Sequence, residues 1–428
     1  MKISGKREVE LLKKIGFVRT SGSKEEVMAA NILADEIRSM GLEAELEAFK
    51  VPHYVIKTAK LEVLEPYKAE YTVKGYGMSG STLEEGMECE LLYIEQAEKA
   101  YLADVKDKIV LVNKMNYEVY ENITKAGVKG FIAFSGTAVD EEDKTDLDER
   151  MLRPRHLQFG KIPGLTLRVK DAIELVSRKA TKIRFTLVQD EGETDSYNVM
   201  TTIKGTEYPK EEIHFVAHYD SVPFSTGVYD NGVGTVAIME ILRKFIEDKP
   251  KRTVKFLWFG SEERGLLGSK FYVKEHEKEL ENVGLAINVD MGGPVLGTNH
   301  AMVTADKGLC YMTEYLAKEV GFPMEVKQDV YSSDSTPYAD SKVPSISFAR
   351  FGATGAAFYH SRHDVMEFMA EEEIEKLTGF VGLFAEKIVN SMIFPVPREI
   401  PKDVVEKIDK YYGRDKDKDK EKTKENNK

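Results

Sequence analysis

FLWFGSEERGLLGSKF, Phe256–Phe271, is the stretch that decides the predicted fold. It begins with an apolar, aromatic run whose length suits a buried strand. Glu262 and Glu263 follow this run directly, and glycines with further apolar residues then begin a helical pattern. Adjacent carboxylates repel each other when they are forced into one site, so something positive has to compensate them. The stretch therefore predicts a buried strand, an acidic turn at its carboxyl end and a helix.

The same alternation of strand and helix continues on both sides of this stretch. The strand-like runs IHFVAH, LAINVD and VPSISFAR are separated by helical patterns, one of which spans about 231–247. Strands that alternate with helices predict a mostly parallel sheet covered by helices on both faces. Such a sheet places its ligand site at the carboxyl ends of its strands. The predicted fold class is α/β, with a mostly parallel mixed sheet flanked by helices.

A break in the alternation of predicted strands and helices indicates more than one domain. The length of 428 residues favours two or three. Residues 54–189 break the alternation, and we interpret them as an inserted, β-rich domain. The catalytic domain is then discontinuous, comprising residues 1–53 and 190–396. Residues 405–428 are expected to be a charged, disordered tail, because the chain carries no apolar residue from Gly413 onward.

Composition and charge exclude several classes of protein. The chain is 42% hydrophobic and 31% charged, as in an ordinary soluble globular protein. Its net charge of −12 argues against a nucleic-acid partner, because such binding relies on Lys and Arg to neutralise phosphates. No stretch approaches the roughly 18 apolar residues of a membrane span, and residues 1–20 lack the apolar core of a secretory signal. We therefore expect a cytoplasmic protein with no membrane partner.

Any metal site in this chain has to use histidine and carboxylate ligands. The two cysteines, Cys89 and Cys310, lie far apart and lack the spacing of a thiolate zinc site or a disulfide framework. Acidic and imidazole side chains follow the predicted strand ends or open the next helix, and we expect them to meet at one edge of the sheet. These candidates are His218, Asp220, Asp230, Glu262, Glu263, Asp290 and His360.

The chemistry of these candidates favours zinc, with Co²⁺ or Mn²⁺ as substitutes. There are more ligands than one tetrahedral ion requires, whereas two ions about 3.5 Å apart with a bridging carboxylate would use them all. Asp230, central in chain order, is the expected bridge. Asp220, two residues after His218, is expected to accept the second ring N–H of that histidine and fix its tautomer. A cation would also neutralise the paired glutamates, provided that one binds the metal and the other stays free.

Five motifs in this chain resemble those of the co-catalytic zinc aminopeptidase family, in order and character: AHYDS, GVYDNGVGT, FGSEERGLLGS, NVDMGG and YHSRHD. Relatives of that family include glutaminyl cyclases and the glutamate carboxypeptidase and transferrin-receptor group. The resemblance spans roughly Thr201 to Asp364 and implies two zinc ions with Glu262 as the general base. The implied zinc ligands are His218, Asp230, Glu263, Asp290 and His360. In addition, DVKDKIVLVNK and ITKAGVKGFIAF, within residues 54–189, look like a protease-associated domain.

Two features depart from the family pattern. The segment YSSDSTPYADSKVPSISF resembles one that usually reads Ser-Asp-His or Ser-Asp-Tyr, but in this chain Ser335 takes the third place. His363 lies three residues after His360 and competes with it as the final metal ligand. The residues that shape the substrate pocket stay open, since packing or ion pairing explains each candidate equally well. These candidates are Asp334, Tyr338, Arg350 and Tyr359.

Together these observations predict a zinc-dependent metallo-aminopeptidase that removes the first residue of peptides with a free N-terminus. Glu262 would take a proton from the attacking water and pass it to the leaving amine. Three alternatives stay open: a glutaminyl cyclase with one zinc, a carboxypeptidase or dipeptidase, and a non-enzymatic binding protein. A carboxypeptidase would need a basic residue, such as Arg350 or Arg362, to hold the substrate carboxylate. No oligomeric state is predicted.

Overall fold

A computed structural model describes residues 2–139, 147 and 150–414. The chain forms two compact units, the first from Met1–Phe49 and Asp195–Lys428 and the second from Lys50–Thr194. The second unit begins and ends a few residues outside the predicted limits of 54 and 189. This difference arises because each boundary lies within a continuous strand, where the sequence carries no turn signal.

The described helices and strands are numbered in chain order. The helices are α1 Gly5–Ile15, α2 Lys24–Ser39, α3 Tyr117–Lys125, α4 Pro154–Leu157, α5 Val169–Ser177, α6 Val233–Glu247, α7 Leu267–Glu275, α8 Lys307–Glu319, α9 Ser335–Asp340, α10 Glu371–Val389 and α11 Lys402–Tyr412. The strands are β1 Glu45–Glu65, β2 Ala69–Tyr71, β3 Val73–Gly77, β4 Met87–Tyr93, β5 Ile109–Leu111, β6 Gly130–Ser135, β7 Arg150–Met151, β8 Gly164–Arg168, β9 Lys182–Ile203, β10 Tyr208–His218, β11 Arg252–Phe259, β12 Val283–Val289, β13 Gly297–Thr304, β14 Glu325–Lys327 and β15 Ser345–Gly352. A kinked turn, Val228–Gly232, precedes α6, and its residues Asp230 and Asn231 have non-helical backbone angles. None of these described helices has the length and apolar character needed to cross a membrane.

The first unit contains a mixed sheet with the strand order β14-β13-β15-β12-β10-β11-β9. Strands β11, β10, β12 and β15 are parallel to one another, whereas β9 and β13 run antiparallel to their neighbours β11 and β15. The register places His218 opposite Phe259, and Val289 opposite Phe348. The carboxyl ends of the central strands therefore meet at one edge of the sheet, and the predicted α/β class is confirmed.

The carboxyl half of β11, Phe256–Phe259, is apolar throughout because both of its faces are buried. Phe256 and Trp258 belong to a cluster that includes residues of α1, α2, α6 and α10. Leu257 and Phe259 belong to a second cluster, which contains Tyr272 of α7. A parallel strand covered on both faces reads as a continuous apolar run without alternation. The stretch FLWF is thus the centre of the sheet, and the acidic pair follows where this strand ends.

The second unit has a hydrophobic core of its own. Its sheet has the order β9-β4-β5-β6-β8-β3-β7, and β2 pairs with β1. Successive residues of β5 alternate between two apolar clusters: Ile109 and Leu111 enter one, and Val110 enters the other. This unit is β-rich, as expected, and its identity as a protease-associated domain stays a prediction.

The predicted disordered tail, 405–428, is wrong in its first part. Residues Lys402–Tyr412 form α11, in which Val404 and Ile408 are buried in a small cluster with Ala339. These two apolar residues are four apart, so they share one face of the helix and can pack together. The rest of the predicted tail, from residue 415, lies outside the described residues.

Gly234, near the start of α6, tests how closely that helix must approach the sheet. A Cβ at this position would overlap the carbonyl oxygen of Val289 and the side chain of Asn231. We expect Gly234→Ala to lower the free energy of unfolding by about 1–3 kcal/mol, the usual cost of overpacking. Denaturant unfolding of the variant beside the parent protein measures this change.

Gly379 of α10 provides the matched control, because a Cβ there has no atom within 4 Å. Gly379→Ala should leave stability unchanged or raise it by up to about 1 kcal/mol through helix propensity. Equal unfolding midpoints for the two alanine variants would contradict the close approach at Gly234.

Candidate metal centre

Three neighbouring strands bring candidate ligands to the same edge of the first unit's sheet. His218 is the last residue of β10, and Glu262 and Glu263 lie just beyond the end of β11. Asp290 directly follows β12. Because β10 lies between β11 and β12, these side chains start from adjacent points of the sheet.

Two further candidates arrive from connecting segments. Asp230 lies in the kinked turn that leads into α6. His360 lies between β15 and α10 and has a backbone φ of 54°. Its side chain is 48% exposed, whereas the side chains of Asp230 and Glu263 are 10% and 7% exposed. Asp230 and Glu263 therefore form a buried part of the centre, and His360 lies on its solvent-exposed side.

Asp230 lies between two groups of candidate ligands. The Nε2 atom of His218 lies 3.2 Å from Oδ1 of Asp230 and 3.6 Å from Oδ1 of Asp290. On the other side, Nε2 of His360 lies 3.2 Å from Oδ2 of Asp230 and 3.0 Å from Oε2 of Glu263. Within each group, all potential ligand atoms lie within 4.8 Å of one another. Each oxygen of Asp230 thus faces a different histidine, which is the arrangement a bridging carboxylate requires.

The paired glutamates occupy different environments. Glu263 belongs to the group around His360, whereas Glu262 belongs to neither group. The Oε2 atom of Glu262 lies 4.0 Å from Nε2 of His218. Burial raises the pKa of Glu262 well above its ordinary value, although the nearby His218 opposes this rise. A carboxylate with a raised pKa beside a ligand group is suited to exchange protons.

The residues present fit two divalent cations. The donor set is imidazole and carboxylate, which suits zinc and related metals. Oδ1 of Asp290 is buried and has no hydrogen-bond partner among the described residues. Burial, followed by repulsion from Asp230, raises the pKa of Glu263 to about 7. A cation in each group would satisfy the buried oxygen and relieve the repulsion between these carboxylates.

Asp220 holds the turn that carries the glutamate pair. Its Oδ1 accepts the backbone N–H of Glu262 at 2.9 Å, and its Oδ2 accepts that of Glu263 at 3.2 Å. Oδ1 also lies 3.4 Å from Nδ1 of His218, but this ring nitrogen has no hydrogen-bond partner among the described residues, so the expected N–H contact to Asp220 is not formed. Asp220 therefore lies beside the first histidine and binds the acidic turn from a fully buried position.

Asp364 is a functional residue for which the sequence predicted no role. Its carboxylate accepts the backbone N–H of Tyr229 at 2.7 Å and that of Asp230 at 3.1 Å. Burial raises the pKa of this carboxyl group to about 6, and the two N–H donors work against that rise. Asp364 thus fixes the backbone of the central Asp230. The only signal in the sequence was its place at the end of the motif YHSRHD.

The structure places the remaining candidate residues around the centre in different environments. His363 is exposed, belongs to neither ligand group, and has its ring centroid 5.6 Å from that of Phe358. Tyr338 is fully buried, and its hydroxyl group lies 3.0 Å from Nδ1 of His214. Asp334 is also fully buried, and its carboxylate oxygens have no hydrogen-bond partner among the described residues. Tyr359, by contrast, is 55% exposed.

A mixed α/β sheet with two histidines and several carboxylates gathered at its edge defines the class of α/β metallohydrolases. Residues 198–384 match the family described as Peptidase family M28. The match confirms the family that the motifs resemble and the predicted kind of enzyme, a metallo-exopeptidase.

The curated relatives include proteins named as aminopeptidases and proteins named as carboxypeptidases. The chain is 26% identical over 378 residues to aminopeptidase YwaD of Bacillus subtilis, covering 85% of this chain and 79% of that protein. It is 26% identical over 402 residues to human carboxypeptidase Q, covering 89% and 84% of the two chains. Among solved structures, BSAP, a zinc aminopeptidase from Bacillus subtilis, has a TM-score of 0.78 at 22% identity, with 94% of this chain and 99% of that chain covered. The likeness to BSAP supports the fold.

The position of His360 predicts that it, and not His363, completes the metal centre. Replacing a direct ligand should cost more than the 10- to 100-fold loss typical of residues that only support ligands. We expect His360→Ala to weaken zinc binding by about 100-fold or more, and His363→Ala to stay within about twofold of the parent protein. Competition with a chromogenic chelator measures both affinities, and the reverse order would exclude His360 as the ligand.

Proposed function

We propose that this protein is a zinc-dependent aminopeptidase that removes the N-terminal residue of peptides. The observation that carries the proposal is the position of Asp230 between two ligand groups, each with its own histidine. His218, Asp230 and Asp290 would hold one zinc ion, and Asp230, Glu263 and His360 would hold the other. A glutaminyl cyclase with a single zinc would not need the second group.

Bound zinc supplies a Lewis acid that polarises the scissile carbonyl group and lowers the pKa of water. Glu262 would act as the general base, because its side chain is only 12% exposed, lies close to His218 and belongs to neither ligand group. Its carboxylate would take the proton of the attacking water and deliver it to the nitrogen of the leaving amine. Asp220 would keep Glu262 in place through the main chain, since it accepts the N–H of that residue.

The contacts of Arg350 support action at the amino end of a peptide. A carboxypeptidase needs a cation for the terminal carboxylate, and Arg350 was a candidate for that role. Its Nε donates to the carbonyl oxygen of Pro294 at 2.9 Å, and Nη2 lies 3.1 Å from a carboxylate oxygen of Glu373. Nη1 donates to the side chain of Asn299 at 3.3 Å. With its guanidinium engaged in this way, Arg350 is poorly placed to hold the terminal carboxylate of a substrate.

Peptides blocked at one end test the direction of attack. With the zinc-loaded full-length protein, a peptide amidated at its carboxyl end should be hydrolysed from the amino end. The same peptide with an acetylated N-terminus and a free C-terminus should resist, because it lacks the ammonium group. Mass spectrometry of the products identifies the residue released. Loss of the last residue from the acetylated peptide would instead support a carboxypeptidase.

Substitutions of the paired glutamates test their separate roles. Glu262→Gln keeps the shape of the side chain but removes the proton acceptor, so turnover should fall by about 100-fold or more with near-normal zinc content. Glu263→Gln should weaken zinc binding itself, because a neutral amide is a poorer ligand than a carboxylate. Added zinc should therefore partly restore the activity of Glu263→Gln alone. Elemental analysis and peptide hydrolysis check both, and loss of metal from Glu262→Gln with retention in Glu263→Gln would exchange the roles.

A further inference from the structure

The turn between α1 and α2 contacts both segments that carry the metal ligands. Within this turn, Arg19 is fully buried, and the described hydrogen bonds of its guanidinium all go to backbone carbonyl groups. Nε donates to Tyr219, and Nη2 donates to Gly227 at 2.7 Å. Nη1 donates to Phe17 at 3.1 Å and also to Thr226. Arg19 therefore fixes both ends of the 219–227 loop, which joins His218 to the turn containing Asp230.

The main chain of Arg19 strengthens the same connection. Its N–H donates to the hydroxyl group of Ser221 at 3.0 Å, and its carbonyl oxygen accepts the N–H of Ser221 at 3.2 Å. Burial lowers the pKa of Arg19 to about 10, and the neighbouring carboxylates, first Asp220 and then Asp364, oppose that fall. The side chain thus keeps its positive charge at neutral pH and places it behind an acidic centre.

Glu26, in the first turn of α2, binds the turn that carries Glu262 and Glu263. Its Oε1 accepts both the N–H of Ser261 at 2.9 Å and the hydroxyl group of Ser261 at 3.0 Å. Ser261 directly precedes Glu262 and has a φ of 57°, in the left-handed region that residues with a side chain seldom adopt. Such a conformation persists only where surrounding contacts impose it. Glu26 supplies contacts to the N–H and the hydroxyl group of this residue.

Capping of α2 explains only part of this arrangement. Ser23 caps the helix by accepting the N–H of Glu26 at 3.0 Å, and Oε2 of Glu26 accepts the N–H of Gly22 at 2.7 Å. A glutamate at this helical position commonly reaches back to the residues that begin the helix. The other oxygen of Glu26 crosses to Ser261, far away in sequence, and that contact does nothing for the cap.

We propose that Arg19 and Glu26 are positioning residues of the metal centre, which set the separation between its two ligand-bearing segments. Arg19 fixes the loop between His218 and Asp230, and Glu26 fixes the turn that presents Glu262 and Glu263. This inference rests on the metal centre of the proposed function. A residue that merely stabilised the fold would affect unfolding and leave the zinc affinity of the folded protein unchanged.

The test compares Glu26→Gln with Glu25→Gln in the full-length protein. Glu25 precedes Glu26 on the same helix, is partly exposed, and its carboxylate lies 3.7 Å from Nζ of Lys24. In Glu26→Gln, the single amide oxygen can accept from Gly22 or from Ser261 but not from both, so the link between the start of α2 and the turn at Ser261 is broken at one end. We expect zinc to bind at least about tenfold more weakly than in Glu25→Gln, within the range seen for residues that support ligands. Arg19→Lys keeps the charge but loses the planar fork of donors, and the same weakening is expected.

Three measurements decide the outcome: the zinc dissociation constant by chelator competition, kcat and KM on a peptide amidated at its carboxyl end, and the thermal midpoint of the metal-free protein. The proposal expects weaker zinc binding and a lower kcat for Glu26→Gln. It is overturned if the thermal midpoint falls while the zinc affinity and kcat stay within about twofold of Glu25→Gln. If Arg19→Lys does not fold, Glu26→Gln alone decides. If the parent binds zinc without hydrolysing peptides, the proposed function fails, and the zinc affinities still decide whether Arg19 and Glu26 position the centre.

Discussion

The repulsion between buried carboxylates is the constraint on which the rest of the centre depends. Two like charges 4 Å apart repel by about 4 kcal/mol at the effective dielectric typical of protein sites. Asp230, Glu263 and Asp290 all approach the same region with little exposure to water. Imidazole rings, backbone N–H groups and one buried guanidinium surround these carboxylates and partly compensate their negative charge. A pair of cations would complete that compensation, which is why an acidic pair can follow the central strand of the sheet.

Much of this compensation is delivered by main-chain atoms. Asp220 and Asp364 each accept two backbone N–H groups, and through these they orient the paired glutamates and the central Asp230. Because the contacts are made to the peptide backbone, the positions of residues 262 and 263 do not depend on their own side chains. The glutamate proposed to exchange protons and the glutamate proposed to bind metal can therefore differ in role while sharing one turn.

The central strands and candidate ligands were accessible from sequence because their signals are local. The run FLWF predicts a strand that is buried on both faces. His218 ends such a strand, and Glu262 and Asp290 follow one. The contributions of Arg19, Glu26 and Asp364 depend on contacts between distant segments, which no periodic pattern encodes. Helix α11 was missed for a different reason, since its two buried residues, Val404 and Ile408, stand in a highly charged stretch. The limits of the second unit were misplaced because β1 and β9 continue through them.

Arg19 and Glu26 contact segments that are remote in sequence, and this affects how the centre forms. The bond from Arg19 to Tyr219 joins residues 200 positions apart, and that from Glu26 to Ser261 joins residues 235 apart. Closing loops of this length is entropically costly, and contacts between remote segments generally form slowly during folding. On a ribosome, the N-terminal turn emerges long before its partners do. With the roles proposed for Arg19 and Glu26, the metal centre would therefore take its final geometry late, after both parts of the discontinuous unit have been made.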